Sequence, residues 1–529
     1  MDFFSKGYAA LLGDKGQPQS PAETIDTLCD RAVNATLLED RRAAVQGLKG
    51  LAQKWKREVG VKGMPALVNI LNHDRNDIDT AKAALEAITI LCSTDDNVDP
   101  HTGLGLVFTD AFVKDPNNVT VLLDILEEYD FYVRFNTVKL LTTLLASRSE
   151  RLQECILIAP MGMSRLIDML DDRREIVRNE GLLLLISLTE SNADIQKIVA
   201  FDNAFERLLA IIDDEEGISG GIIVQDCLQL IHNLLRYNVS NQNYFRETSC
   251  IQRIPSLLGF VGDSGADHVE YSHEAWPEQK VANTVLVLRL IMILVEPGNQ
   301  NTKTNQNVMN QCGVLPPVIQ LGLCSNAPPS VHTKALHAIA DIIRANQANQ
   351  DYFARTVVAS HDQASPPLSA LVALIAVSVS AGRPQPEQDP YSVRAAAAYV
   401  CESCVAGNSD AQLVLASTLK SPPEDNPNAE LGGKPFSAGS LLLDALQNLE
   451  LAAFDPYKVW FACTILANVL RGNERAKQAA ANITFGDEEN GTCPAPAPGR
   501  RTAHDGFAKP GDKRARPDRV PDAAQRVAV

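Results

Sequence analysis

Aromatic residues make up only 5% of this 529-residue chain, so any core it builds must be filled by aliphatic side chains. Positive charge is also short. With 65 acidic against 48 basic residues the net charge is −17, and such a surface repels phosphate. That argues against broad binding of nucleic acid or of an anionic membrane as a main activity. Long hydrophobic runs are missing, since the least polar stretch, residues 368–381, is shorter than the ~20 residues that span a bilayer. The opening MDFFSKGYAALLGDKG sets Asp2, Lys6, Asp14 and Lys15 around a short apolar patch, unlike a signal or transit peptide. These absences predict a soluble chain facing the cytosol.

Reactive chemistry is equally thin. The eleven cysteines are scattered from Cys29 to Cys493 and read as small buried residues in a reducing compartment. Cys401 and Cys404 form a C-x-x-C inside the helical run VRAAAAYVCESCVAG, with no second pair at the spacing a four-ligand zinc site needs. No G-x-x-x-x-G-K-[ST], G-x-S-x-G or H-E-x-x-H occurs. His268 and His273 share an insertion with Asp267, Glu270 and Glu274, which reads as an acidic, solvated loop. The expectation is therefore no catalytic residue, no metal and no cofactor: not an enzyme.

What the chain does contain is helical periodicity, repeated. Runs such as VKLLTTLLAS, IVRNEGLLLLISLTES, CLQLIHNLLRYN, VLVLRLIMILV, ALHAIADIIRAN and VWFACTILANVLRGN are apolar around most of their circumference, as helices buried between neighbours are. After each of six such runs comes a small or polar cluster and a glutamine: Gln153, Gln196, Gln242, Gln306, Gln350 and Gln412. The gaps are 43, 46, 64, 44 and 62 residues, and the two long ones contain polar insertions at 259–279 and 355–367. Further loops are predicted at 94–106 and 420–439, all four exposed. A period of about 40–47 residues with two or three helices is the armadillo/HEAT signature. The prediction is an all-α, right-handed armadillo/HEAT-like superhelical solenoid of eight or nine repeats over residues 22–486, after an N-terminal extension at 1–21. The glutamines read as caps or inter-repeat hydrogen bonds at the start of a third helix. Leu140, Leu141, Leu144, Leu183 and Leu185 are expected inside. From 487 to 529 the sequence turns Pro- and Arg-rich, with eight Lys/Arg and four Asp after residue 499, and reads as a disordered tail.

Particular stretches carry a family resemblance: TIDTLCDRAVNATLLEDRRAAVQGLKGLAQKWKREVG at 24–60, LLDILEEYDFYVRFNTVKLLTTLL at 122–145, and the run from ILIAPMGMSRLIDMLDDRREIVRNEG onward at 156–212. SNQNYF at 240–245 and NQDYFA at 349–354 repeat one motif. Together they resemble the globular head of the general vesicular transport factor family, the long tethers of endoplasmic-reticulum-to-Golgi traffic, over residues 22–486. The resemblance implies a cytoplasmic protein peripheral on Golgi and ER-derived membranes, whose membrane association is indirect. Its partners would be a Rab-family GTPase, SNARE proteins and other Golgi tethers, with no nucleic acid. Family members are homodimers with a long coiled coil and an acidic tail. No heptad run occurs here, so dimerisation through a coiled coil is not expected, and the break near 487 reads as a truncated product or a head-only form.

Within the matching segments, Arg41 and Arg42, and Asp171, Asp172, Arg173, Arg174, Glu175 and Arg178, are the candidate partner-binding residues. They pair acids with consecutive arginines at helix starts, and guanidinium groups there could bond partner carboxylates. Acids complementing the helix dipole and arginines pairing with them would give the same pattern structurally. Two other readings stay open, a generic armadillo scaffold and a nuclear-import-type adaptor. The latter needs a ladder of Trp and Asn, which Trp55, Trp276 and Trp460 do not make.

Overall fold

The computed structural model describes residues 20–94, 103–259, 276–323, 326–358, 368–379, 390–419, 437–447 and 455–481. The chain divides into two compact units, Met1–Asn482 and Ile483–Val529, and every described residue lies in the first. Most of the four expected insertions (95–102, 260–275, 359–367 and 420–436) falls outside the described residues, as do His268, His273, nearly all of the N-terminal extension and the tail.

Helices start where short polar side chains can cap them. Ser20 and Glu23 form a reciprocal capping box at the first helix, Pro21–Asn34. Asp77, Asp130 and Asp455 each accept an amide of the first turn of the helix that follows. Nine of the long helices form successive layers, Leu38–Ala52, Ile78–Cys92, Phe131–Ser147, Glu175–Thr189, Ile222–Leu235, Glu278–Leu294, Pro329–Ile343, Pro390–Val405 and Pro456–Leu470, while Pro21–Asn34 and Lys56–His73 pack beside the first two. Each of the nine packs on the next, so the layers form one continuous stack. From the third layer onward every long helix is followed by a short one of eight to ten residues, beginning with Ser149–Ile158 and Ala193–Phe201. This is the three-helix armadillo pattern, and no helix among the described residues is long and apolar enough to cross a membrane.

The core is aliphatic. Leu140, Leu141, Leu144 and Leu185 are fully enclosed, but Leu183 is 45% exposed, against expectation. The run Leu182–Leu185 turns through about 300° of helix, so its four side chains cannot all face neighbouring layers. Leu182, Leu184 and Leu185 do, and Leu183 takes the open side. Gly181 is needed where it stands, because a Cβ there would lie 2.9 Å from the Cβ of Met169. Among the described residues one feature breaks the all-helical pattern: Val357–Val358 pairs antiparallel with Leu368–Ser369, Val357 opposite Ser369. The chain leaves helix Gln347–Arg355 and enters helix Ala370–Val379 side by side there, and the Ala370 amide also donates to the Thr356 carbonyl at 2.8 Å.

The glutamines join the layers. All six are buried, and each side-chain oxygen accepts from an asparagine of the following layer. Asn192 donates to Gln153 at 2.9 Å, Asn238 to Gln196 at 3.3 Å and Asn299 to Gln242 at 2.7 Å. Asn346 donates to Gln306 at 3.3 Å, Asn408 to Gln350 at 3.0 Å and Asn473 to Gln412 at 3.1 Å. Five of these asparagines also cap their own short helices through Oδ1, Asn299 being the exception. The glutamine amides cover helix-end carbonyls that would otherwise be orphaned. Gln306 reaches Asp341 and Arg344 of the next layer at 2.8 and 3.0 Å, whereas Gln196 turns back to Thr189 in its own.

Candidate interaction surface

The expected partner-binding residues do not form one patch. Arg41 and Arg42 lie in the first layer and 171–178 at the start of the fourth, with the helices Ile78–Cys92 and Phe131–Ser147 stacked between them. At ~8–10 Å per packed helix that is roughly 30 Å.

Six of these eight side chains are taken up in ion pairs within this chain. Arg41 grips Asp74 through two bonds of 2.6 and 2.9 Å and also donates to the Ala35 carbonyl at 2.9 Å. Arg42 grips Asp77 at 3.1 and 2.6 Å. Such forked pairs are the stronger class of hydrogen bond. The Arg42 bond holds the Asp77 carboxyl below the usual carboxylate range, with burial opposing it and the Thr80 hydroxyl and amide assisting. Asp172 is buried, bonded to Arg174 at 3.1 and 3.2 Å and to Arg134 of the preceding layer at 2.8 Å. Burial would raise its carboxyl, but the bonds from Arg174 and the charge of Arg134 together hold it low. Arg178 reaches Glu215 at 3.3 Å, and Asp171 meets Arg207 at 3.2 Å. Arg173 and Glu175 are exposed and make no ion pair among the described residues. The arginines therefore pair mainly with acids one layer away in space, rather than three or four residues along a helix.

Sequence reading missed the outward face of the later long helices. Tyr391, Tyr457 and Trp460 stand exposed there, with the Tyr391 and Tyr457 rings 5.1 Å apart edge to face. Arg236, Arg289, Lys334 and His337 lie on the same side of successive layers, singly spaced in sequence and so without any local charge run to mark them. On the opposite, short-helix side, Asn310, Ala348, Asp351, Tyr352, Arg355 and Thr356 line an open hollow of about 620 Å³. Among the described residues no group of three or more His, Cys, Asp or Glu is arranged to hold a metal. Nine free cysteines are described, most of them buried, and burial pushes the thiols of Cys92, Cys227 and Cys404 up to about 12. Cys463 departs from the expected burial and is exposed.

Comparison with known proteins agrees with this geometry. Residues 346–495 match the head region of Uso1/p115-like vesicle tethering proteins, and residues 273–331 match the armadillo tether-repeat of vesicular transport factor. General vesicular transport factor p115 of Bos taurus is 40% identical over 481 residues, covering 89% of this chain and 47% of its own length. Golgin candidate 6 of Arabidopsis thaliana is 34% identical over 495 residues, covering 91% of this chain and 52% of its own. The crystal structure of Uso1-2 superposes with a TM-score of 0.75 at 28% identity, covering 89% of this chain and 75% of that one. The chain thus spans about half the length of the transport factors it matches. Through its armadillo stack the chain is similar to the head region of Uso1/p115-like vesicle tethering proteins.

Proposed function

We propose that this chain acts as the head of a vesicle tether in transport between the endoplasmic reticulum and the Golgi, holding protein partners rather than transforming a substrate. The observation that carries this reading is the 40% identity to general vesicular transport factor p115 over 481 residues, which covers 89% of this chain. Its partners in this reading are a Rab-family GTPase, SNARE proteins and other Golgi tethers, and it works peripherally on the cytoplasmic side of Golgi and ER-derived membranes. A stack of this kind offers long solvated faces suited to proteins.

Of the residues predicted from sequence, Arg173 and Glu175 are the ones whose charged ends are free to meet a partner. Arg174 is a poorer probe, since its loss would strip the buried Asp172 of a bonding partner and release the Tyr129 carbonyl. The test is capture of a GTP-loaded ER-to-Golgi Rab GTPase by wild-type and Arg173→Glu protein, alongside sedimentation of both with Golgi membranes. Wild-type protein should capture the GTPase and sediment, and Arg173→Glu should weaken capture without lowering the melting temperature. Failure of the wild type in both assays would overturn the tethering reading. Equal capture by the two proteins would remove Arg173 from the interface.

A further inference from the structure

The chain is acidic overall, and most arginines of the stack are locked in ion pairs with its own carboxylates. The outward face of the fifth to seventh long helices differs. Arg236 and Arg289 are exposed and Lys334 half-exposed, on helices or helix ends that follow one another in the stack, and none of the three makes an ion pair among the described residues. Arg236 instead lies 4.7 Å over the ring of Tyr237 and donates to its hydroxyl at 3.1 Å. Half-exposed Val285, Leu286, Met292 and Ile293 share the face of helix Glu278–Leu294 with Arg289.

The two histidines on this face register the same imbalance. Burial, and then the positive charges of Arg236 and Arg289, push the His232 imidazole below its ordinary value, and its Nδ1 is buried without a partner. Burial and then Lys334 do the same to His337. No carboxylate among the described residues offsets either one. Asp341, the nearby buried acid, is turned into the stack, where the Tyr399 hydroxyl donates to it at 3.1 Å.

Uncompensated cations flanking half-exposed aliphatic side chains are complementary to a segment that carries carboxylates and apolar residues together. We propose that the outward face of helices Ile222–Leu235, Glu278–Leu294 and Pro329–Ile343 docks an acidic, partly apolar segment of a partner protein, its carboxylates meeting Arg236, Arg289 and Lys334. This assignment builds on the reading of the head as a protein-docking scaffold. Its test uses purified components, so its failure leaves the membrane and GTPase assays untouched.

The experiment measures fluorescence anisotropy of the full chain with a labelled peptide in which Glu alternates with Leu and Ala, at low ionic strength. The wild type should bind this peptide and ignore its Lys-substituted counterpart. Arg289→Glu/Lys334→Glu should bind at least about tenfold more weakly, the effect of losing one charge-assisted contact. The milder Arg289→Gln/Lys334→Gln pair should weaken binding in the same direction, with an unchanged melting temperature. Lys303→Glu, a reversal on the short-helix side, should bind as the wild type does. Failure of the wild type to bind, or equal loss in Lys303→Glu, would overturn the proposal. So would binding to phosphatidylserine vesicles without binding to the peptide, which would make this a membrane-facing surface.

Discussion

The layers before Gln153 and those after Asn238 are joined by different chemistry. In the first, ion pairs cross from one layer to the next: Arg41 to Asp74, Arg42 to Asp77 and Lys49 to Glu86. In the second, neutral amides do the work, with Asn346, Asn408 and Asn473 each bonded to a glutamine of the layer before. Beyond Arg253 the ion pairs described between different helices are Arg394 to Asp455 and Lys458 to Asp444. The middle layers have both, as Arg134–Asp172 and Asn192–Gln153 illustrate. A half-exposed ion pair is weakened by salt and by protonation, whereas a buried amide pair is indifferent to both. The two ends should therefore respond differently to solution conditions although their aliphatic cores are alike.

The largest effect should come from what the regions share. Leu185→Ala removes a fully enclosed side chain from the fourth layer, and a loss of about 2–5 kcal/mol is expected. Because each layer is stabilised by its neighbours, thermal melting and hydrogen exchange should show damage on both sides of residue 185. Protection confined to its former pattern would mean the stack is less continuous than its packing implies.

Next comes the amide ladder. Gln306→Ala would strip the Asp341 and Arg344 carbonyls of a donor and Asn346 of an acceptor. Unsatisfied buried groups of this kind cost about 1–3 kcal/mol each before relaxation, so a net loss of about 2–3 kcal/mol is expected, unaffected by salt. A melting temperature within error of the wild type would show that water replaces the amide fully.

Acid and salt should then separate the ends. Asp77, Asp110 and Asp172 have carboxyls held below their usual range, so their stabilisation is complete above the unfolded value near pH 4 and is lost as pH falls through the lower folded values. Asp341 has the opposite sign: burial pushes its carboxyl up, so acid relieves it. Hydrogen exchange below pH 4 should open the helices Leu38–Ala52 and Ile78–Cys92 before Pro329–Ile343 and Pro390–Val405, and high salt near neutrality should favour the same order. Simultaneous opening would refute the distinction.

The smallest effect concerns a junction that four of the later layers share. The residue before each capping asparagine has a left-handed backbone: Tyr237, Ala345, Gly407 and Gly472, with φ of 58°, 52°, 66° and 69°. Glycine adopts this conformation freely, so Ala345→Gly should be neutral or stabilising by up to about 1 kcal/mol, read as a rise in melting temperature. A clear loss would assign the Ala345 methyl a packing role that outweighs its strain.

Much of this architecture was legible beforehand because it repeats. Gln153, Gln196, Gln242, Gln306, Gln350 and Gln412 stood out against apolar helices at the spacing of stacked two- or three-helix units, and their bridging role follows from burying a polar side chain where helix carbonyls end. Their asparagine partners were not legible. The separations run from 39 residues for Asn192–Gln153 to 61 for Asn473–Gln412, and nothing local links the members of a pair. Leu183 failed for a related reason, since a run of leucines marks a buried helix without saying which side of it stays open.

Period and composition alone determined that this chain is an all-helical stack with an aliphatic core, because both properties are written into every repeat. Where its charges point was decided only when the layers met. Arg41, Arg42, Asp172 and Arg178 look like free surface groups along the chain, yet each finds an opposite charge brought close by packing. Arg236, Arg289 and Lys334 look no different in sequence, and the same packing leaves them without an ion pair among the described residues. Attraction between charges depends on distance in space, and the stacking of the helices sets that distance.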